Sequence, residues 1–345
     1  MTKQFTRILT LIAALAWGLT AQAGESFRVA WSHYTGWEPW GYADSAGILK
    51  KWADKYGIQI ELTLVNDYIE SINLYTSGKF DACAMTNMDA LTIPAVGGVD
   101  STAVIVGDYS NGNDGIVMKN GNSVADLKGR TVNLVELSVS HYLLARALDQ
   151  NGMSERDLKL VNTSDADIAA IFTSDPNGAA VTWNPPLMQA RNAKGANLVF
   201  DSSKIPGEIL DLMVVKTSAP DSLKKALAGA WYETLATMTA KDTKADEAMT
   251  YMAKASGATL AEFKAQLRTT AMYYQPKEGA DFAASPQVRQ TMEQVRRFSF
   301  DKGLFGNAAS SPDAVGIEFN DGSVLGDKGN VKLRFTAKYM AAAGL

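Results

Sequence analysis

Residues 31–47, 80–118, 131–145, 160–190 and 205–215 contain no lysine or arginine. They do carry Glu38, Asp44, Asp89, Asp108, Asp114, Glu136, Asp165, Asp167, Glu208 and Asp211, with Trp31, Trp37, Trp40 and Trp183 among them. Burying a guanidinium or ammonium strips its water, and only paired negative charge and hydrogen bonds offset that loss. A carboxylate accepts two parallel N–H bonds from a guanidinium, and a tryptophan face stabilises a desolvated cation by ~1–2 kcal/mol. If these stretches meet around a ligand, the chemistry fits a small cation or a neutral hydrogen-bond donor better than an anion. Glu38 between Trp37 and Pro39-Trp40, and Trp183 ahead of Asn184-Pro185-Pro186, suit that role. Each of these residues also has a plainer reading as a helix cap, a surface group or a packed aromatic. Helix N-termini bind anions through backbone N–H groups alone, so an anionic ligand is weakened rather than excluded.

The elements that must position these residues follow from hydrophobic period and turn chemistry. Short β-rich runs alternate with helical spacing, the pattern of α/β sheets with crossover helices. Strands are expected at 27–31, 58–65, around Cys83, at 102–106, 115–119, 131–135, 158–161, 179–183 and 211–216. A helix is expected over 43–56, stopped by Gly57, and another after Asn66 or Asp67. Ser138 is placed to cap a helix over 139–151, and Ser164 one that carries Asp165 and Asp167 in its first turn. Thr86-Asn87-Met88-Asp89 falls where the third strand hands over to a helix, and the glycines and asparagines of 107–115 read as a flexible turn. After Asp221 the chain turns helical over 222–239, 245–256, 260–273 and 286–298, with a hairpin signal at Asn320-Asp321-Gly322. Two α/β lobes joined by two crossings result, and in such sheets ligands bind outside the carboxyl ends of the strands.

Compartment and bulk narrow the function. Lys3 and Arg7, an apolar run from Ile8 to Leu19 and Ala21-Gln22-Ala23 read as a secretory signal peptide cleaved after Ala23. Losing Lys3 and Arg7 takes the formal charge from −4 to −6, which argues against nucleic acid or an anionic membrane as partner. Cys83 is the only cysteine, so no internal disulfide forms, and its setting is that of a buried strand. For an enzyme the inventory is poor. There are two histidines, His33 and His141, and no HExxH, nucleophile elbow, phosphate-cradling loop or paired CxxC. No cofactor and no metal are expected.

Several blocks resemble one family closely. They are Trp37-Glu38-Pro39-Trp40-Gly41-Tyr42-Ala43-Asp44, Met85-Thr86-Asn87-Met88-Asp89-Ala90-Leu91, 107–115, Val135-Glu136-Leu137-Ser138-Val139-Ser140-His141-Tyr142, Val181-Thr182-Trp183-Asn184-Pro185 and 202–208. The chain resembles the periplasmic substrate-binding proteins of ABC transporters associated with urea carboxylase. That branch lies within the group serving nitrate, sulfonates, taurine and thiamine precursors. The resemblance implies a type II periplasmic binding-protein fold, α/β and two-lobed, with a hinge of two crossing segments and extra C-terminal helices. It also implies a monomer that delivers a small molecule to an inner-membrane ABC permease and its ATPase. Many enzymes of that branch act on guanidine rather than urea, so guanidinium stands beside urea as a candidate, and the cation-free loops favour guanidinium. A related subgroup makes a thiamine precursor with a histidine and a cysteine-rich segment. Cys83 alone does not supply that segment.

The expected organisation is a signal peptide over 1–23, a first lobe over 24–112, a second over 113–216, and a helical return to the first over 217–345. Closure is expected about crossings near 112–116 and 211–216. Trp37 and Glu38 from one lobe are expected to meet Glu136 and Trp183 from the other. Thr86, Asn87, Asp89, Asp108, Ser138, His141 and Asp211 are expected as further contacts. On that reading Glu136→Gln weakens guanidinium binding at least tenfold, ~1.4 kcal/mol. The alternatives are an anion carrier of the sulfonate, taurine or nitrate kind using helix N-termini, and a periplasmic amide hydrolase.

Overall fold

The computed structural model describes residues 24–307 and 309–343. The expected signal peptide and its cleavage lie outside the described residues. The chain begins a nine-stranded sheet with β1 (Ser26–Trp31), β2 (Gln59–Leu64), β3 (Ala82–Thr86) and β4 (Ser101–Ser110). It then crosses to a five-stranded sheet built from β5 (Asp114–Lys119), β6 (Thr131–Leu134), β7 (Lys159–Asn162), β8 (Ala179–Trp183) and β9 (Ala196–Asp201). It returns through β10 (Leu210–Lys216) and completes the larger sheet with β11 (Thr270–Met272), β12 (Gly316–Glu318), β13 (Val324–Leu325) and β14 (Val331–Phe335). The larger sheet runs β13-β12-β14-β4-β10-β3-β1-β2 with β11 on β4, and the smaller runs β7-β6-β8-β5-β9. Two α/β lobes are present, as the alternation predicted. Among the described residues no helix is long and apolar enough to cross a membrane.

The return crossing differs from the expectation. Residues 210–216 do not close the second lobe; β10 lies between β3 and β4 in the larger sheet and pairs antiparallel with both. A central strand buried on both faces must be almost continuously apolar, and Leu-Asp-Leu-Met-Val-Val is so except for Asp211. The links between sheets are therefore 111–113 and 202–209. They touch each other, since Ser110 Oγ lies 2.7 Å from Ser202 Oγ, which also accepts the Gly112 N–H at 2.7 Å. Gly112 has φ +104°, a conformation that a side chain would strain. Most of the 107–115 stretch is strand rather than turn. Gly107 serves close packing, because a Cβ there would sit 2.9 Å from the Trp231 ring.

Caps hold the helices that matter for the cleft. Asp67 accepts the Glu70 N–H at the start of helix Tyr68–Thr76, and Thr86 accepts the Asp89 N–H at the start of Asn87–Ala90. Ser138 accepts the Ser140 N–H and opens helix Val139–Gln150. Ser164 does not cap its helix; its hydroxyl donates instead to Asp67 Oδ2 of the other lobe at 3.0 Å. The expected helix over 43–56 is two helices, Glu38–Ser45 and Ile48–Lys55, parted at Gly47 with φ +72°. The one expected over 260–273 stops at Leu267, because 270–272 pair with β4.

The C-terminal helices pack on the first lobe. Asp221–Thr239 lies against Ile48–Lys55, where Gly229 meets the Trp52 ring. Helix Pro286–Asp301 also reaches across to the second lobe. Phe298 meets Tyr142 edge-on at 5.0 Å between ring centroids, and the adjoining Lys302 pairs with Glu155. Cys83 is buried on β3, and burial pushes its thiol up to about 12.

Candidate functional site

Between the sheets lies a small cavity lined by Tyr34, Trp37, Tyr68, Thr86, Asp114, Val139, Trp183, Ile209 and Asp211. Both lobes, the loop after β1, both crossings' neighbours and two helix starts contribute. The cavity measures about 10 Å³, room for roughly one water-sized sphere, so its walls are in near contact. Four rings form one side. Tyr34 and Trp37 stand 5.1 Å apart at 64°, Trp37 and Tyr68 5.7 Å apart, and Tyr68 and Trp183 5.4 Å apart at 76°. The lobes are held together around it. Trp183 Nε1 donates to the His33 carbonyl at 3.3 Å, Thr35 N to the Asn184 carbonyl at 3.3 Å, and Tyr68 N to Asp165 Oδ1 at 3.4 Å.

The other side is carboxylate. Asp89, Asp108, Asp114 and Asp211 are each at most 2% exposed. Asp211 on β10 faces Asp108 on β4 directly across the ladder and Thr86 on its other flank. Tyr34 Oη donates to Asp108 Oδ1 at 2.9 Å. Tyr68 Oη and Thr86 Oγ1 donate to Asp89 Oδ2 at 2.7 and 2.8 Å. Among the oxygens of these four aspartates, three are buried without a hydrogen-bond partner: Asp89 Oδ1, Asp108 Oδ2 and Asp211 Oδ2. Burial without a paired cation favours the neutral form of such groups. Asp89 is pushed up to about 6 and Asp108 and Asp114 to about 7, desolvation being the chief cause in each. Asp211 is raised well above the usual carboxylate range, first by burial and then by Asp108 beside it.

Of the residues singled out in the sequence, Trp37, Thr86, Trp183 and Asp211 line the cavity, with Asp89 and Asp108 directly behind it. The others are not brought to it. Glu136 lies in a separate groove at the seam with Asp67, Glu70, Asn162, Ser164 and Asp165, and its backbone N–H is bound by Asn162. It is carried outward because Leu137, φ +63°, turns the chain before the Ser138 cap. Glu38 is fully buried but faces His33, 2.7 Å away, at the first turn of its helix. Asn87 spends its amide on β10, donating to the Glu208 carbonyl and accepting the Leu210 N–H. Ser138 caps its helix and binds the Val135 carbonyl. His141 accepts the Leu137 N–H on Nδ1, and its Nε2 lies 3.0 Å from Glu155. Tyr34, Tyr68, Val139 and Ile209 were not singled out. Asp114 was visible as a carboxylate in a cation-free stretch, and Tyr68 as the residue after the Asp67 cap, but neither signal gives depth.

A two-sheet fold with crossed-over β10 and a cavity at the seam is that of the periplasmic binding proteins. The alkanesulfonate-binding protein SsuA of Xanthomonas axonopodis pv. citri, bound to MOPS, superposes with a TM-score of 0.69 at 16% identity, over 83% of this chain and 96% of that one. The periplasmic aliphatic sulphonate-binding protein SsuA of Escherichia coli gives 0.67 at 18% over 83% and 95%. The periplasmic nitrate-binding protein NrtA of Synechocystis PCC 6803 gives 0.58 at 13% over 93% and 97%. At such identities the likeness establishes the fold. The model of the family described as NMT1/THI5 like matches residues 46–219, just over half the chain, and the chain belongs to that family. No functionally curated protein matches it.

Proposed function

We propose that this chain is the periplasmic solute-binding component of an ABC importer, and that it takes a small nitrogen-rich cation, guanidinium first and urea second, by closure of its lobes. The observation that carries the ligand class is the cavity itself, where aromatic faces meet the buried carboxyls of Asp114 and Asp211, the latter with Oδ2 unpaired, and no lysine or arginine lines the wall. A planar cation with several N–H donors satisfies the carboxylates while its face packs on tryptophan and tyrosine. Urea offers donors but no charge, so the carboxylates would remain uncompensated.

The anion reading draws on the fold relatives and on one atom, Trp37 Nε1, a buried donor without an acceptor. Against it stands the start of helix Val139–Gln150, the natural anion position. The Val139 N–H there already faces the Asp89 carboxyl. A carboxyl of the chain's own thus sits at that helix start.

Calorimetric titration of the protein from Gly24 onward tests the reading. Guanidinium chloride at low concentration, urea, taurine and nitrate are compared, with sodium chloride as ionic control. One-site guanidinium binding at least a hundredfold tighter than urea is expected. Binding of taurine or nitrate in its place would sink the cation assignment.

A further inference from the structure

Asp108 and Asp211 face each other on adjacent strands, each with Oδ2 buried and unpartnered. As register partners on antiparallel strands they project from the same face of the sheet, so the two carboxyls sit side by side. The groups packed around them offer no positive charge. Tyr34 gives its hydroxyl proton to Asp108 Oδ1; Asp114 from β5 adds a further carboxylate; Tyr273 and Tyr274, after β11, are neutral phenols. Gly36 packs close to Asp108, since a Cβ there would lie 2.6 Å from its Oδ2. Two neighbouring carboxylates buried without a paired cation resist being ionised together.

We propose that Asp108 and Asp211 hold one proton between them and that an entering cation displaces it to solvent. Asp108, which does not line the cavity, thereby sets the preference for a cation over a neutral amide. The inference rests on the cation reading above. Charge balances in the exchange: the pair goes from one negative charge to two, the cation brings one positive charge, and the proton leaves to buffer. A neutral ligand gains nothing from expelling the proton and leaves the pair as it is. Asp108 is a positioning residue, acting through Asp211.

Two measurements test this. The first is the guanidinium titration repeated at pH 7 in buffers of different ionisation enthalpy. Wild type should release about one proton per ligand bound, and its affinity should rise about tenfold per pH unit from 5.5 to 7. Asp108→Asn, whose amide donates to Asp211 as the shared proton does, should release markedly less and show a shallower profile, the remainder coming from Asp114. Guanidinium binding to wild type with no proton release would overturn the proposal while leaving the cation reading intact.

The second measurement needs no ligand. A proton held more tightly in the folded than in the unfolded state makes stability fall as pH rises from about 4, the ordinary carboxylate range, through the folded values near 7. The melting temperature of wild type should therefore fall between pH 5 and 8, and Asp108→Asn should fall less. Parallel profiles for the two proteins would overturn the proposal even if guanidinium proved not to bind.

Discussion

Two acidic regions face the seam between the lobes, and they differ in depth. The inner one sets Asp114 and Asp211 against the rings of Tyr34, Trp37, Tyr68 and Trp183 in a space of about 10 Å³. The outer one gathers Asp67, Glu70 and Glu136, over a buried Asp165 at its floor, around a groove of about 490 Å³ that opens to solvent. The residue types are alike, but the physics is not. Charges exposed to water interact weakly and are screened by salt, whereas desolvated ones cost or contribute several kcal/mol according to whether they are paired. On the cation reading the inner carboxylates are therefore expected to discriminate between ligands, and the outer ones at most to colour the approach to them.

The contrast is broken or sharpened by substitution. The largest effect is expected for Asp114→Asn, which removes a buried counter-charge. Guanidinium binding should weaken about thirtyfold, ~2 kcal/mol, while urea binding changes little, read by paired titrations. Trp37→Leu keeps an apolar wall but loses the ring face, and should weaken guanidinium about tenfold. Trp183→Phe keeps a ring but loses the bond to the His33 carbonyl. About a fivefold loss is expected, seen as a faster off-rate in stopped flow. Glu136→Gln should move affinity less than about twofold at physiological salt, and that small change should vanish at higher salt. A tenfold loss in Glu136→Gln would erase the distinction between the two regions.

Local chemistry in the sequence told much of this fold and some of the site. Asp67, Thr86 and Ser138 are caps where a short polar side chain before an apolar period says they should be. The absence of lysine and arginine marked the stretches that build the cavity. Depth was not legible, because it is set by partners far away in the chain. Trp40 and Trp37 lie three residues apart, yet one ring packs on Trp231 in the core and the other lines the cavity. Glu136 and Asp114 read alike as loop carboxylates, and only the β5–β8 pairing buries the second. Strand 196–201 went unread because it is an edge of the smaller sheet, half-exposed and without clean alternation.

Helix Pro286–Asp301 has a mechanical meaning. The two crossings at 111–113 and 202–209 lie side by side and would let the lobes swing like a door on one narrow hinge. Phe298 and Lys302 hold Tyr142 and Glu155 of the second lobe beside that hinge, where Tyr142 also donates to Glu208 of the crossing at 2.6 Å, like a bolt set next to the pin. On the closure reading proposed above, wide opening of that door requires the Lys302–Glu155 link to let go.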